Sequence, residues 1–246
     1  MIKGITTTEQ AMRPKLARME TLANNLANIN STGFKKDKLF VQMLNESSAG
    51  PGQGSDFDGV RVKTYVDFTE GSLEETGNPL DLALQGPGFF AVTTPSGTRY
   101  TRAGSFRFDT EGNLVTSDNF PVQGANGAIR LPDNRLNARD GIRVLETGEI
   151  MLDKDLLGQL RVVQFATPTD LVKDGQSFFR ATPGQVMMEG PGEMTSVRQG
   201  FLEESNVEGI DEMMAMIELN RSFETDQKAL QSLDATLERS MDVGRV

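Results

Sequence analysis

The chain is predicted to be a mixed fold: an antiparallel all-β central domain, a sandwich or distorted barrel, flanked by N- and C-terminal α-helices forming a coiled-coil-like terminal domain. Three observations predict it. Both ends carry apolar residues at heptad spacing. Between them run many short apolar segments punctuated by Gly, Pro, Asn and Asp. The 246 residues hold 25 Gly and only 7% aromatics, a composition suited to a turn-rich β domain. The expected division is a terminal helical polymerisation domain of residues 1–40 with 205–246, a linker over 41–60, and a central β domain over 61–204.

In the first helix Ile5, Met12, Leu16, Met19, Ala23 and Leu26 form one seam, and Leu22 and Ile29 widen it. Pro14 deletes a hydrogen bond inside a helix, so either a kink there or a start near Arg13 is expected. The stop is Asn30-Ser31-Thr32-Gly33, with Gly33 in the turn and Phe34 folding back onto the last turn. Asn24 and Asn28 stand at i, i+4 with Asn25 and Leu26 between. They read either as a frayed, Asn-rich helix end or as side chains that fix helix register at a cost in stability.

The last helix is expected from Val207 to Met241, capped by Ser205-Asn206, with Asp211 and Glu212 in its first turn. Met216, Leu219, Phe223, Leu230, Leu233 and Leu237 fall on a and d positions, and Asp226 is the polar break. Ile210, Met213 and Ile217 form a second row. Two apolar rows per helix exceed what a two-helix hairpin covers, so another surface must bury the rest. Such stripes would leave the isolated helices marginal. Residues 1–40 carry seven Lys/Arg against three Asp/Glu, a net +4, and residues 201–246 carry four against eleven, a net −7. The two ends therefore attract one another within about 10 Å at ordinary salt.

Between the helices, Asn45 to Gly59 is small, polar and Gly-rich, a linker or mobile loop. Val60 to Phe68 alternates as a half-buried strand, and short strands follow at Leu80–Leu84, Phe89–Val92, Arg99–Arg102, Phe106–Phe108, Leu114–Val115, Ile142–Leu145, Glu149–Leu152, Leu160–Phe165, Phe178–Ala181 and Thr195–Phe201.

Chemistry is excluded early. The sequence has no Cys, His or Trp, which removes thiolate and imidazole catalysis and the metal sites built on them. Asp109 to Asn113 is a hairpin turn and not a calcium loop, because position 12 counted from Asp109 is Phe120. Gly86-Pro87-Gly88 is a turn with no helix behind it to hold a phosphate. The acidic residues Glu203, Glu204, Glu208, Asp211 and Glu212 read as a solvated helix entrance. A net charge of −10 disfavours nucleic acid, no stretch is long and apolar enough for a membrane helix, and no cleavable signal peptide is expected. No catalytic residue, cofactor, metal or small-molecule substrate is implied.

Four segments carry a family resemblance. Leu22 to Lys35 (LANNLANINSTGFK) resembles the N-terminal signature of bacterial flagellar rod and hook proteins. Thr76 to Phe90 (TGNPLDLALQGPGFF) and Tyr100 to Phe106 (YTRAGSF) are similar to that family's strand-turn-strand elements. Gly200 to Val207 (GFLEESNV), followed by Glu212-Met213 and Met216-Ile217-Glu218, resembles its entry into the last helix. At 246 residues there is no room for the outer domains of a hook protein. The start Met1 to Ile5, Pro14 and the ending Asp242 to Val246 look most like a proximal-rod subunit, with a distal-rod subunit second.

The resemblance implies an axial structural subunit, exported without a cleaved signal through the flagellar type III apparatus and located in the basal-body rod that spans the periplasm. Its partners would be copies of itself and other rod and hook axial proteins. Its assembly residues would be Leu16, Met19, Ala23, Asn24, Asn25, Leu26, Asn28, Ile29, Met213, Met216, Ile217, Leu219, Phe223, Leu230, Leu233 and Leu237. Gly33, Gly77, Asn78, Pro79, Gly86, Gly88 and Gly104 would hold turns. The rivals from other classes are a helix-oligomerised β-domain adhesin and a carboxylate-based glycosidase. The latter lacks an aromatic-rich sugar platform around any acidic pair.

Overall fold

A computed structural model describes residues 2–43, 60–132, 141–185, 187–190 and 195–243. The expected linker Asn45 to Gly59 lies outside the described residues, as do the side chains of Ile5, Leu233 and Leu237. The chain divides into two compact units: one of residues 1–27, 37–65 and 208–246, the other of residues 28–36 and 66–207.

The first unit holds α1 (Ile2–Ala27), β1 (Asp37–Met43), β2 (Val60–Val66, its last residue in the other unit) and α2 (Gly209–Val243), with β1 and β2 paired as a two-stranded sheet. Helix α1 does not begin at Arg13 but runs through it with Pro14 in its interior. Pro14 has no N–H for the carbonyl one turn back, and tertiary packing offsets that loss. The helix ends at Ala27, ahead of Asn28. Its pairing with α2 is antiparallel, since Lys15 meets Asp226 and Asn25 meets Glu212. The Lys15 ammonium donates to Ser222 Oγ at 2.7 Å and pairs with Asp226 at 2.5 Å, so the polar break in the α2 heptads has an opposite charge facing it. Asp211 and Glu212 fall in the first turn of α2, as the helix dipole favours.

The second unit is mostly antiparallel β, dominated by a curled half-barrel sheet. Its strands are β3 (Leu73–Glu75), β4 (Leu82–Gln85), β5 (Phe89–Thr94), β6 (Gly97–Thr101), β7 (Phe106–Phe108), β8 (Leu114–Thr116), β9 (Gln123–Gly124), β10 (Gly127–Ala128), β11 (Ile142–Val144), β12 (Glu149–Leu152), β13 (Asp155–Gln159), β14 (Val162–Phe165), β15 (Val172–Lys173), β16 (Phe178–Arg180), β17 (Met187–Glu189), β18 (Ser196–Gln199) and β19 (Phe201–Glu203). The largest sheet has the order β15-β16-β6-β5-β14-β17, and β11-β12-β13 forms a meander. The segment expected as one strand over Thr195–Phe201 is two, β18 on β4 and β19 on β3, broken at Gly200.

The central strands β5 and β14 are buried on both faces, which explains why they read as continuous apolar runs. Phe90, Val92 and Val162 face a large aliphatic core with Leu82, Leu84, Leu114, Ile150 and Leu160. Phe89, Ala91, Val163 and Phe165 face a second core with Tyr100, Leu171 and Phe179. Phe68 packs against that second core beside Phe89, Tyr100, Phe165 and Phe179. Phe89 meets Phe68, Phe165 and Phe179 edge-to-face at centroid distances of 5.6, 5.7 and 5.8 Å.

The β7–β8 hairpin turns on Asp109. Its Oδ1 accepts from the backbone N–H of Glu111 at 2.9 Å and Asn113 at 2.8 Å, and its Oδ2 accepts from Asn113 Nδ2 at 3.0 Å. The Asn113 side chain, reinforced by those backbone donors, holds the Asp109 carboxyl below its usual value.

Candidate functional site: the helical face and a buried ionic junction

In the first unit the expected assembly residues split by burial. Asn25 and Leu219 are buried, and Met19, Leu26, Met216, Phe223 and Leu230 are half-buried. Leu16, Ala23, Asn24, Met213 and Ile217 are exposed. Asn28 is buried and Ile29 half-buried, and both belong to the second unit. On α2 the exposed residues Ile210, Met213, Met214 and Ile217 follow i, i+3, i+4, i+7 and therefore share one stripe, with Ile210 75% accessible. A helix that pairs with α1 and still leaves such a stripe in water has one apolar face uncovered within this chain.

The asparagines have identifiable work. Asn25 Oδ1 accepts from Asp37 N–H at 2.9 Å, while its Nδ2 donates to Asp37 O at 3.0 Å and Glu212 Oε2 at 3.3 Å. One side chain thus pins the start of β1 and the first turn of α2. Asn24 Nδ2 donates to Asp37 Oδ2 at 3.2 Å. Asn28 Oδ1 accepts from Ser31 Oγ at 3.2 Å, inside the turn that follows α1.

In the second unit, the segments quoted for the family resemblance converge on one buried cluster. Lys35 comes from the N-terminal signature, Arg102 from YTRAGSF and Glu203 from GFLEESNV. The Lys35 ammonium pairs with Glu203 Oε1 and donates to Thr69 O at 2.6 Å. Glu203 Oε1 also accepts from Gly71 N–H at 3.1 Å, and Oε2 accepts from Arg102 at 3.3 Å. Arg102 donates further to Leu84 O and Gly86 O and lies 5.2 Å from the Phe89 ring centroid. Lys35, Arg102 and Glu203 are all buried. Desolvation pushes the Lys35 pKa below its ordinary value, with the Glu203 charge opposing it.

Around this cluster the turn residues lock. Gly33 has a φ of +65° and donates to Glu203 O at 2.7 Å, and a Cβ there would stand 2.3 Å from Ala103 N. A Cβ on Gly104 would stand 1.6 Å from Leu82 O. Asp81 accepts from Thr76 Oγ1 at 2.7 Å and Asn78 Nδ2 at 3.0 Å. Gln199 donates to Pro79 O. Gly77 and Gly86 have positive φ, and Gly88 sits close against Val162.

Phe34 is wholly buried, with the Lys173 ammonium 3.9 Å over its ring. The expected helix cap is corrected. Asn206 does not cap α2. Its Oδ1 accepts from Lys36 N–H at 2.8 Å, and its Nδ2 donates to Asp67 O at 2.9 Å and Thr69 O at 3.1 Å. With that side chain occupied, α2 starts at Gly209, while Ser205 Oγ accepts from Val207 N–H at 3.3 Å.

Lys35 and Arg102 stood only inside the quoted motifs, Asn206 was expected as a helix cap, and Glu203, expected in a solvated helix entrance, is instead buried between Lys35 and Arg102. The available signal was strand parity: Phe201 and Glu203 share a face of β19, so a carboxylate stands where an apolar residue would close a core.

Among the described residues no group of three or more His, Cys, Asp or Glu could hold a metal, and no helix is long and apolar enough to cross a membrane.

A β unit stapled by a buried ionic cluster, joined to paired helices with an uncovered apolar stripe, is the build of an assembling structural subunit. Family comparisons agree. Residues 5–35 match the flagella basal body rod protein family, 83–152 the D1 domain of flagellar hook proteins FlgE/F/G, and 198–243 the C-terminal domain of flagellar basal body rod FlgEFG proteins. The flagellar basal-body rod protein FlgG of Bacillus subtilis is 30% identical over 100% of both chains. FlgG of Borreliella burgdorferi is 32% identical over 96% of this chain and 97% of its own. FlgF of Mesorhizobium japonicum, also a flagellar basal-body rod protein, is 35% identical over 84% of this chain and 83% of its own. The chain belongs to the flagellar basal-body rod protein family, and it is a structural subunit, not an enzyme.

Proposed function

We propose that this chain is a subunit of the proximal rod, polymerising through its terminal helical unit into the drive shaft that transmits torque across the periplasm. It reaches that place through the type III export apparatus without signal cleavage. The heptad seams engage neighbouring copies and other axial proteins in coiled-coil-like packing. The single observation that carries this reading is the exposed stripe Ile210, Met213, Met214 and Ile217 on a helix whose other side is already paired. The proximal segment is chosen over the distal one on the resemblance of Met1 to Ile5, Pro14 and Asp242 to Val246. The adhesin alternative draws no support from the relatives.

Ile217→Asp tests the reading, because Ile217 is 53% exposed and its replacement should leave the monomer folded. The expected result is an unchanged unfolding midpoint for the purified chain with loss of rod assembly and motility. Normal swimming in that variant overturns the reading.

A further inference from the structure

Besides the α2 stripe, the helical unit exposes Lys63 and Tyr65 on one face of β2, with Tyr65 46% accessible. Strand β2 therefore offers an aromatic ring two residues from a lysine. The α2 stripe has the complementary chemistry. Met213 and Met214 are thioethers that pack favourably on aromatic rings. Exposed carboxylates border them: Glu208 ahead of the stripe, and Asp211 and Glu218 three residues before and four residues after Met214. Within one chain both surfaces remain in solvent, so they do not cover each other.

We propose that the Tyr65 face of β2 in one copy docks on the first turns of α2 of a second copy, the ring against methionines and Lys63 against carboxylates. Because the two surfaces differ, the contact is heterologous. Each copy keeps one free surface of each kind, and the contact propagates as an open series instead of closing as a dimer. The inference deepens the assembly reading above by naming the two surfaces, and it rests on that reading.

The sequence contains no cysteine, so introduced thiols report without background. Cells producing a Tyr65→Cys chain together with a Met214→Cys chain in place of the native one supply basal bodies for mild oxidation. The expected product is a disulfide-linked dimer between positions 65 and 214 as the main cross-linked species. Basal bodies that contain both chains but yield only 214–214 dimers, or no dimer, overturn this inference and leave the assembly reading standing. Basal bodies that lack the chain even in cells producing it unaltered overturn both. Should the thiols themselves block incorporation, charge reversal decides. Lys63→Glu should abolish motility, and adding Asp211→Lys with Glu218→Lys should restore it. A folded threefold variant that stays non-motile overturns the docking.

Discussion

Lys35 shows how much a single side chain holds here. Its ammonium is out of solvent and held by the Glu203 carboxylate and the Thr69 carbonyl, while the same carboxylate serves Arg102 and Gly71 N–H. Removing one partner of a buried ionic cluster strands the other charges. Lys35→Met should therefore cost about 3–5 kcal/mol, read from urea midpoints of the β unit's unfolding. Pairing it with Glu203→Met should cost less than the two single losses summed, since no carboxylate is then left alone. Gly104→Ala should prevent folding of the same unit, as a methyl cannot occupy the place of the Leu82 carbonyl oxygen. Asp109 gives a pH signature. Its folded carboxyl titrates below the ordinary 3.8, so the unfolded chain takes up the proton first as pH falls. Its contribution to stability is present above about pH 3.8 and disappears as pH drops through the lower folded value. In Asn113→Ala that part of the acid limb should shrink to what the backbone donors alone supply.

At the scale of elements, the hinge of the helical unit is Asn25. Asn25→Ala leaves Asp37 N–H and C=O without their side-chain partner and should cost about 1–3 kcal/mol, seen as faster amide exchange along β1. The Lys15–Asp226 pair, with side chains about a quarter exposed, should give less than about 1 kcal/mol in a double-mutant cycle and weaken further in salt. Both helices, most of the strands and the Asp109 turn were legible from periodicity and turn chemistry, because local spacing dictates them. What escaped was long-range pairing. The break at Gly200 and the short strand β3 depend on partners far along the chain, while β9, β10 and β15 are two residues each, too short to show a pattern. Asn206 looked like a helix cap because Asn fits that role locally, and its true partners, Lys36, Asp67 and Thr69, lie outside any sequence window. Of the two readings left open at Pro14, the start near Arg13 fails, because the rest of the helix outweighs the local penalty.

For the whole molecule, the surplus of apolar rows on the terminal helices was visible in the sequence and is what the exposed stripe on α2 displays. Amides of α2 beyond Leu219 should exchange quickly in the dilute chain and slowly in isolated rods, measured by mass spectrometry on both. Equal protection in the two states counts against assembly through this helix. The buried ionic junction was only half legible: the motifs that contain it stood out, but not that they meet. Lys35 and Glu203 are 168 positions apart. A chain leaving a ribosome N-terminus first has its lysine in water long before its carboxylate exists, so the ionic junction cannot close until roughly five-sixths of the polypeptide has emerged. A nascent chain arrested at residue 200 should be degraded by protease throughout, and one arrested beyond the length that frees Glu203 should yield a resistant core. The ion pair thus acts as a timer, keeping every incomplete product pliable and letting only the finished one set.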